Sequence, residues 1–233
     1  MPQFFAPSFC WKNGTIFLED SAEIHHIVRV HRFRKDDRIK IFDGAGRRVL
    51  CRLAEIHEGK LTAEIEKELE SNEPETELSL YVALVKRSPF EEILEKGTEL
   101  GVRRFIPVST RFSVVPADIG TKKTERWKEV ILSAAKQSER GILPGIRQPL
   151  SFSEALSTAR RENGNLILLD PRGGKTVKNT EGKKALFIGP EGGFSPEELD
   201  EAGRNGTSFL SLGKSILRTE TAVLSAVAVL LFC

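Results

Sequence analysis

The chain has 233 residues, 39% of them hydrophobic and 29% charged, with a net charge of +2. That is enough for one large domain or two small ones with real cores, and it excludes a molecule basic throughout. Three widely spaced cysteines (Cys10, Cys51, Cys233) without a C-x-x-C pair argue against a disulfide scaffold or a Cys-rich zinc module.

The first residues lack a basic stretch followed by a long apolar run, so no signal peptide is expected. Residues 14–18, 38–42, 48–53 and 60–66 read as short strands, and the last three alternate polar with apolar side chains. Asp43-Gly44-Ala45-Gly46 supplies a turn between two of them. A small β-barrel closes so many short strands. Residues 70–77, acidic and Pro-containing, read as a linker, which divides the chain into 1–70, 71–77 and 78–233.

Charge is uneven along the first part. Residues 29–52 carry nine basic side chains against three acidic ones, and residues 53–77 carry nine glutamates against two lysines. Either the basic run forms a polyanion-binding face, or the two runs lie on solvated faces of neighbouring strands.

Beyond residue 77 the period changes. Residues 78–86 read as a buried strand, 89–100 as a helix, 104–108 as a strand, and 122–140 as a long amphipathic helix. Strands at 166–170, 185–189 and 209–212 follow, with helices from Ser195 and from about Thr219. Such alternation indicates an α/β domain with a mainly parallel sheet. The longest apolar stretch, residues 221–233, is shorter than the roughly 20 residues of a membrane span, so a reduced, soluble, cytoplasmic protein without membrane attachment is expected.

The four histidines (His25, His26, His31, His57) all lie in the first quarter. Chemistry in the α/β part must therefore rest on a cofactor, carboxylates, arginines and backbone rather than on Ser-His, Cys-His or His-metal groups. Cys10, His25, His26 and Cys51 show no paired metal-ligand spacing, and no metal is expected. In residues 188–198 a buried strand enters Gly189-Pro190-Glu191-Gly192-Gly193-Phe194 and then a helix, with Ser195 and Glu198 forming a capping box around Pro196. Such a turn either brings backbone close to a ligand or simply joins strand to helix. Gly213-Lys214-Ser215 and Gly174-Lys175-Thr176 fail the phosphate-binding loop pattern, because Ser208 and Leu169 stand where it needs glycine.

Taken in order, His25-His26-x-x-Arg29-Val30-x-Arg32, Lys96-x-x-Glu99-Leu-Gly-Val102, Ala134-Ala-x-Gln137-Ser-x-Arg140, the 189–194 run and Leu212-Gly213-x-x-Ile216-Leu217-Arg218-Thr219-Glu220-Thr221-Ala222 resemble the RsmE family over essentially the whole chain. The resemblance implies a PUA-like β-barrel and a SPOUT α/β domain with a deep trefoil knot. It implies a homodimer that methylates a uracil N3 of 16S ribosomal RNA with S-adenosylmethionine, the RNA being free or within the assembled small subunit. Ribose 2′-O methylation, or a non-catalytic RNA-binding assembly factor, are the other readings.

On this resemblance Leu169, Gly189, Pro190, Gly193, Leu212, Gly213, Ile216, Leu217, Thr221 and Ala222 should hold the donor. Arg218 should stabilise negative charge on the base. Glu191 and Glu220 should either take the N3 proton or brace a loop. Arg29, Arg32, Lys86, Arg87, Arg111, Gln137 and Arg140 should face RNA. Members commonly read Ser-Glu-Arg-Ser-Val where this chain has Thr110-Arg111-Phe112-Ser113-Val114, so Arg111 and Phe112 take the places of Glu and Arg.

Overall fold

The computed structural model describes residues 1–57, 59–85, 87–113, 119–174 and 182–232. They form two compact units, residues 1–73 with 135–143 and residues 74–134 with 144–233.

The first unit holds β1 (Gln3–Phe5), β2 (Trp11–Lys12), β3 (Thr15–Leu18), α1 (Ser21–His25), β4 (Arg38–Phe42), β5 (Arg48–His57) and β6 (Lys60–Glu68). They build one six-stranded sheet in the order β1-β4-β5-β6-β3-β2, antiparallel except for β1 with β4. The alternating apolar residues Ile39, Ile41, Val49, Cys51, Leu53, Leu61 and Ala63 face one core. Phe4 near one end of the sheet and Ile16 near the other share that core, so the sheet curls upon itself. Asp43 makes the expected turn, accepting the backbone N–H groups of Ala45 (2.7 Å) and Arg47 (3.0 Å). Asp20 caps α1, which continues into a wider π-type turn over His26–Val30.

The second unit holds β7 (Leu78–Ala83), α2 (Arg87–Leu100), β8 (Arg104–Ser109), most of α3 (Gly120–Gln137), β9 (Gly145–Ile146), β10 (Leu150–Ser151), α4 (Phe152–Glu162), β11 (Asn165–Gly174), β12 (Lys184–Ile188), α5 (Pro196–Arg204), β13 (Ser208–Leu210) and α6 (Thr219–Phe232). Every strand pair is parallel, in the order β10-β8-β7-β12-β11-β13 with β9 beside β8. β7 and β12 are buried along their whole length, as central parallel strands covered on both faces must be. On one face Phe152, Leu156 and Ala159 of α4 pack against Tyr81, Phe187 and Leu168. Elsewhere a side chain at Gly97 of α2 would lie 2.8 Å from the Phe105 ring, so that glycine sets how closely helix and strand approach.

Two sequence expectations change. The long helix stops at Gln137 rather than Arg140, because Glu139 adopts a left-handed conformation (φ 57°) and the chain turns there. Residues 135–143 then join the first unit, where Leu143 N–H donates to the Gly44 carbonyl (3.0 Å). The 71–77 stretch is also more than a tether. Glu73 accepts from Arg140 and from the N–H groups of Gly141 and Ile142 (both 3.0 Å).

Candidate active site

The chain forms β11, then β12 beside it, then β13 on β11's other edge, so the order of strands reverses at β11. Ligands of open parallel sheets bind beyond the carboxyl ends of strands at such a switch. A cavity lies there, lined by residues 169–171 of β11, the end of β12 with the loop that follows it, the loop after β13 and the start of α6.

Local chemistry shapes its walls. The loop after β12 folds back tightly, with Gly193 (φ 72°) donating its N–H to the Pro190 carbonyl at 2.8 Å. A side chain at Gly189 would sit about 3.1 Å from the Phe194 ring. At Gly193 and Gly213 (φ 122°) a Cβ would meet no protein atom, so both leave backbone open where each turns. Ser211 joins two walls: its hydroxyl donates to the Pro171 carbonyl (3.2 Å) and accepts the Gly213 N–H (3.3 Å). The capping box forms as the sequence requires, with Ser195 at the N-cap and Pro196 opening α5.

Of the residues expected to hold the donor, Leu169, Gly189, Pro190, Gly193, Leu212, Gly213, Ile216, Leu217 and Ala222 line this cavity. Thr221 does not, and is exposed. Thr219 lines it instead. Positions three apart share a helix face, so Thr219 and Ala222 point one way and Thr221 the other. Asp170, within β11 just past Leu169 where its register with β13 shifts, is a residue the sequence reading missed. Arg172 donates to both its carboxylate oxygens (2.8 and 2.9 Å) and holds it below the usual carboxylate range.

Of the candidate catalytic groups, Glu191 is exposed on the cavity wall, without a hydrogen-bond or ion-pair partner among the described residues. Arg218 is exposed at the flank of α6, next to Thr219, and Glu220 lies outside the cavity lining. A carboxylate that braces two segments here is Glu198. Its buried carboxylate accepts the Ser195 N–H (2.8 Å) through one oxygen and the Arg111 N–H (2.9 Å) through the other. The segment after β8 is thereby fastened to the start of α5.

The basic run divides in the first unit. Arg38 pairs with Glu66 (2.6 Å), Arg47 with Glu68 (2.5 Å), Arg52 with Asp36 and Glu64 (2.7 and 2.5 Å), and Lys40 and Arg48 with Glu139 (2.7 and 3.3 Å). Strand register explains this: Arg38, Arg52 and Glu64 stand in one row across β4, β5 and β6. Arg29, Arg32, Arg34 and Lys35 are exposed and make no ion pair among the described residues. The exposed positive charge of the run therefore gathers at 29–35, whereas the cations of 38–52 pair with Asp36, Glu64, Glu66, Glu68 and Glu139.

Of the other RNA candidates, Arg111 and Gln137 are exposed, Lys86 lies outside the described residues, and Arg87 opens α2. Arg140 is buried, which corrects its placement on an RNA-facing surface. Among the described residues no group of three His, Cys, Asp or Glu is arranged to hold a metal, and no helix is long and apolar enough to cross a membrane.

A family model for an RNA methyltransferase domain matches residues 72–231, and one for an RNA methyltransferase PUA domain matches residues 18–66. Ribosomal RNA small subunit methyltransferase E of Aquifex aeolicus is 32% identical, covering 94% of this chain and 96% of its own length. The Bacillus subtilis protein of that name is 31% identical over 91% and 88%. The crystal structure of ribosomal RNA small subunit methyltransferase E from Neisseria gonorrhoeae bound to S-adenosyl methionine is 32% identical. It covers 98% of this chain and 96% of that one, with a TM-score of 0.88. A Legionella pneumophila methyltransferase structure, also with bound S-adenosyl methionine, reaches 0.85 at 28% identity, covering 98% and 96%. With one domain family matching most of the chain, a second matching within the first unit, and these relatives aligned nearly end to end, the chain belongs to the ribosomal RNA small subunit methyltransferase E family.

Proposed function

We propose that the protein transfers a methyl group from S-adenosylmethionine to N3 of a uracil in the 16S ribosomal RNA of the small subunit. The observation that carries this is the cavity at the strand switch, built by three separate segments and open to backbone at Gly193 and Gly213. Its residues suit the donor: Leu169, Ile216 and Leu217 offer apolar surface to an adenine, and the glycines let backbone N–H and C=O groups reach its polar edge.

Bound there, S-adenosylmethionine supplies an electrophilic methyl on a sulfonium, so no metal or covalent enzyme intermediate is required. Catalysis then rests on alignment and on making N3 nucleophilic. N3 must lose a proton, and the resulting charge spreads to the flanking carbonyl oxygens. Arg218, at the positive end of α6, favours that anion. Glu191, on the cavity wall, is the group assigned to receive the proton. Arg29 and Arg32, with Arg34 and Lys35 beside them, hold RNA phosphates, and Arg111 and Gln137 are assigned to RNA on other surfaces. The trefoil threading of the segment after β13 belongs to the same reading. So does a homodimer, supported by the apolar Val229 (44% exposed) and Phe232 (63% exposed) on α6.

Mass mapping of nucleosides in ribosomal RNA from cells lacking the gene tests this. Loss of an N3-methyluridine from small-subunit RNA is expected, restored by the wild-type chain but not by Arg218→Ala. Loss of a 2′-O-methyl group instead, or no change in any nucleoside, would overturn the assignment.

A further inference from the structure

We propose that Phe112 is the stacking platform on which the acceptor base lies while it is methylated, an inference that rests on the base-methylation reading above. A base whose N3 is to react must leave its pair and stack, and an aromatic face in the enzyme replaces the contacts it loses. The cavity lining contains one aromatic residue, Phe194, but it is buried and its ring is engaged with Phe152 at 5.3 Å. In the second unit the exposed aromatics among the described residues are Phe112 and Phe232. Phe232 ends α6, about 20 Å along the helix from Thr219 and the cavity.

Phe112 lies against the cavity's own loop. A side chain at Gly192, between the cavity-lining Glu191 and Gly193, would come within 3.3 Å of the Phe112 Cβ. Gly192 therefore leaves the room Phe112 occupies, and Phe112 remains 47% exposed with no aromatic partner among the described residues. The backbone beneath it is fixed. Buried Glu198 holds the Arg111 N–H at 2.9 Å, Ser113 N–H donates to the Thr110 carbonyl at 3.1 Å, and the hydroxyls of Thr110 and Ser113 meet at 2.9 Å. An exposed apolar ring on a backbone that a buried carboxylate fastens one residue away, beside the loop where methyl transfer is placed, offers what an extruded pyrimidine requires: a flat face near a fixed segment. Base stacking tolerates any aromatic ring and fails with an aliphatic side chain of similar bulk.

The test compares wild type, Phe112→Trp, Phe112→Leu and Phe112→Ala on small ribosomal subunits from cells lacking the gene. S-adenosylmethionine affinity is measured in parallel by calorimetry. Expected are a fall in kcat/KM of about 10- to 100-fold for the Leu and Ala variants, near-wild-type kcat/KM for Trp, and unchanged donor affinity throughout. Full activity of Phe112→Leu would mean that bulk rather than an aromatic face matters, and would overturn the proposal. Parallel loss of donor affinity would also overturn it, by making Phe112 a brace for the 189–194 loop. If the wild type forms no N3-methyluridine, the function assigned above fails and this inference falls with it; if the wild type is active, the variants judge Phe112 alone.

Discussion

Arg140 donates to Glu73 through both Nε (3.1 Å) and Nη2 (2.5 Å), and both side chains are at least nine-tenths buried. The same carboxylate takes the N–H groups of Gly141 and Ile142, while the Arg140 carbonyl accepts from Gln3 Nε2 at 2.7 Å. The pair fastens residues 135–143 to the first unit from within. Removing one partner leaves the other charge buried without its partner, which costs about 3–5 kcal/mol. Arg140→Ala should therefore lower the urea midpoint of the first unit markedly while leaving the salt dependence of RNA binding unchanged. A variant of wild-type stability with a shallower salt slope would return Arg140 to the RNA surface.

Gly193→Val should abolish or strongly weaken donor binding. The position has φ 72°, and a Cβ there would contact no protein atom, so a side chain would both strain the turn and enter the open space. Backbone strain of this kind costs about 1–3 kcal/mol, and obstruction adds to it. Isothermal titration of S-adenosylmethionine in excess chelator should give at least a tenfold weaker Kd, with far-ultraviolet circular dichroism unchanged. Equal affinity would place the donor elsewhere.

The sequence carried what depends on local pattern. Ser195, Pro196 and Glu198 announce their helix start because a capping box is written in four consecutive positions, and 38–42 is legible as a strand because polar and apolar residues alternate through 38–41. The glycine-lined loops were legible for the same reason. Facts that depend on where distant residues meet were not. Thr219 and Thr221 are equivalent in the run 216–222 until the first residue of α6 fixes which face meets the cavity. Arg140 reads as an RNA-facing residue at a helix end until Glu139 turns the chain and Glu73, 67 residues away in sequence, receives its guanidinium. Charge counting could not separate Arg29 and Arg32 from Arg38 and Arg52, because cross-strand register alone gives the latter pair their glutamates.

That separation has a measurable consequence. Arg29→Ala with Arg32→Ala removes two exposed cations that make no ion pair among the described residues, so stability should change little. Each lost phosphate contact reduces the slope of log K against log salt by about 0.7–0.9, giving about 1.4–1.8 for the pair. Arg38→Ala, whose partner is Glu66, should leave the slope near wild type. The comparison is made by titrating small-subunit RNA at several salt concentrations. Equal slopes for wild type and the double variant would move the RNA path away from 29–35.

Cys51 gives the first unit an alkaline limit. It stands on β5 opposite Ile39 and Ile65, wholly within the core, and burial pushes its thiol up to about 12, with Glu66 and Glu68 adding to the shift. In the unfolded chain the thiol ionises near 8.5. Below about pH 8.5 both states keep the proton and Cys51 adds no pH dependence. Above it the unfolded chain releases the proton while the folded one retains it, so stability falls as pH rises, by about 1.4 kcal/mol per unit until the folded thiol itself ionises. Cys51→Val keeps an apolar, strand-compatible side chain and has no proton to lose. Urea midpoints measured at pH 7.5, 8.5, 9.5 and 10.5 should therefore fall more steeply for wild type than for the variant, and the two curves should diverge only above pH 8.5. Iodoacetamide should leave Cys51 unmodified in the folded protein at neutral pH and alkylate it in urea, because only a thiolate exposed to solvent reacts. Parallel midpoint curves, or ready alkylation of Cys51 itself in the folded chain, would mean that the core around β5 opens more readily than its packing indicates.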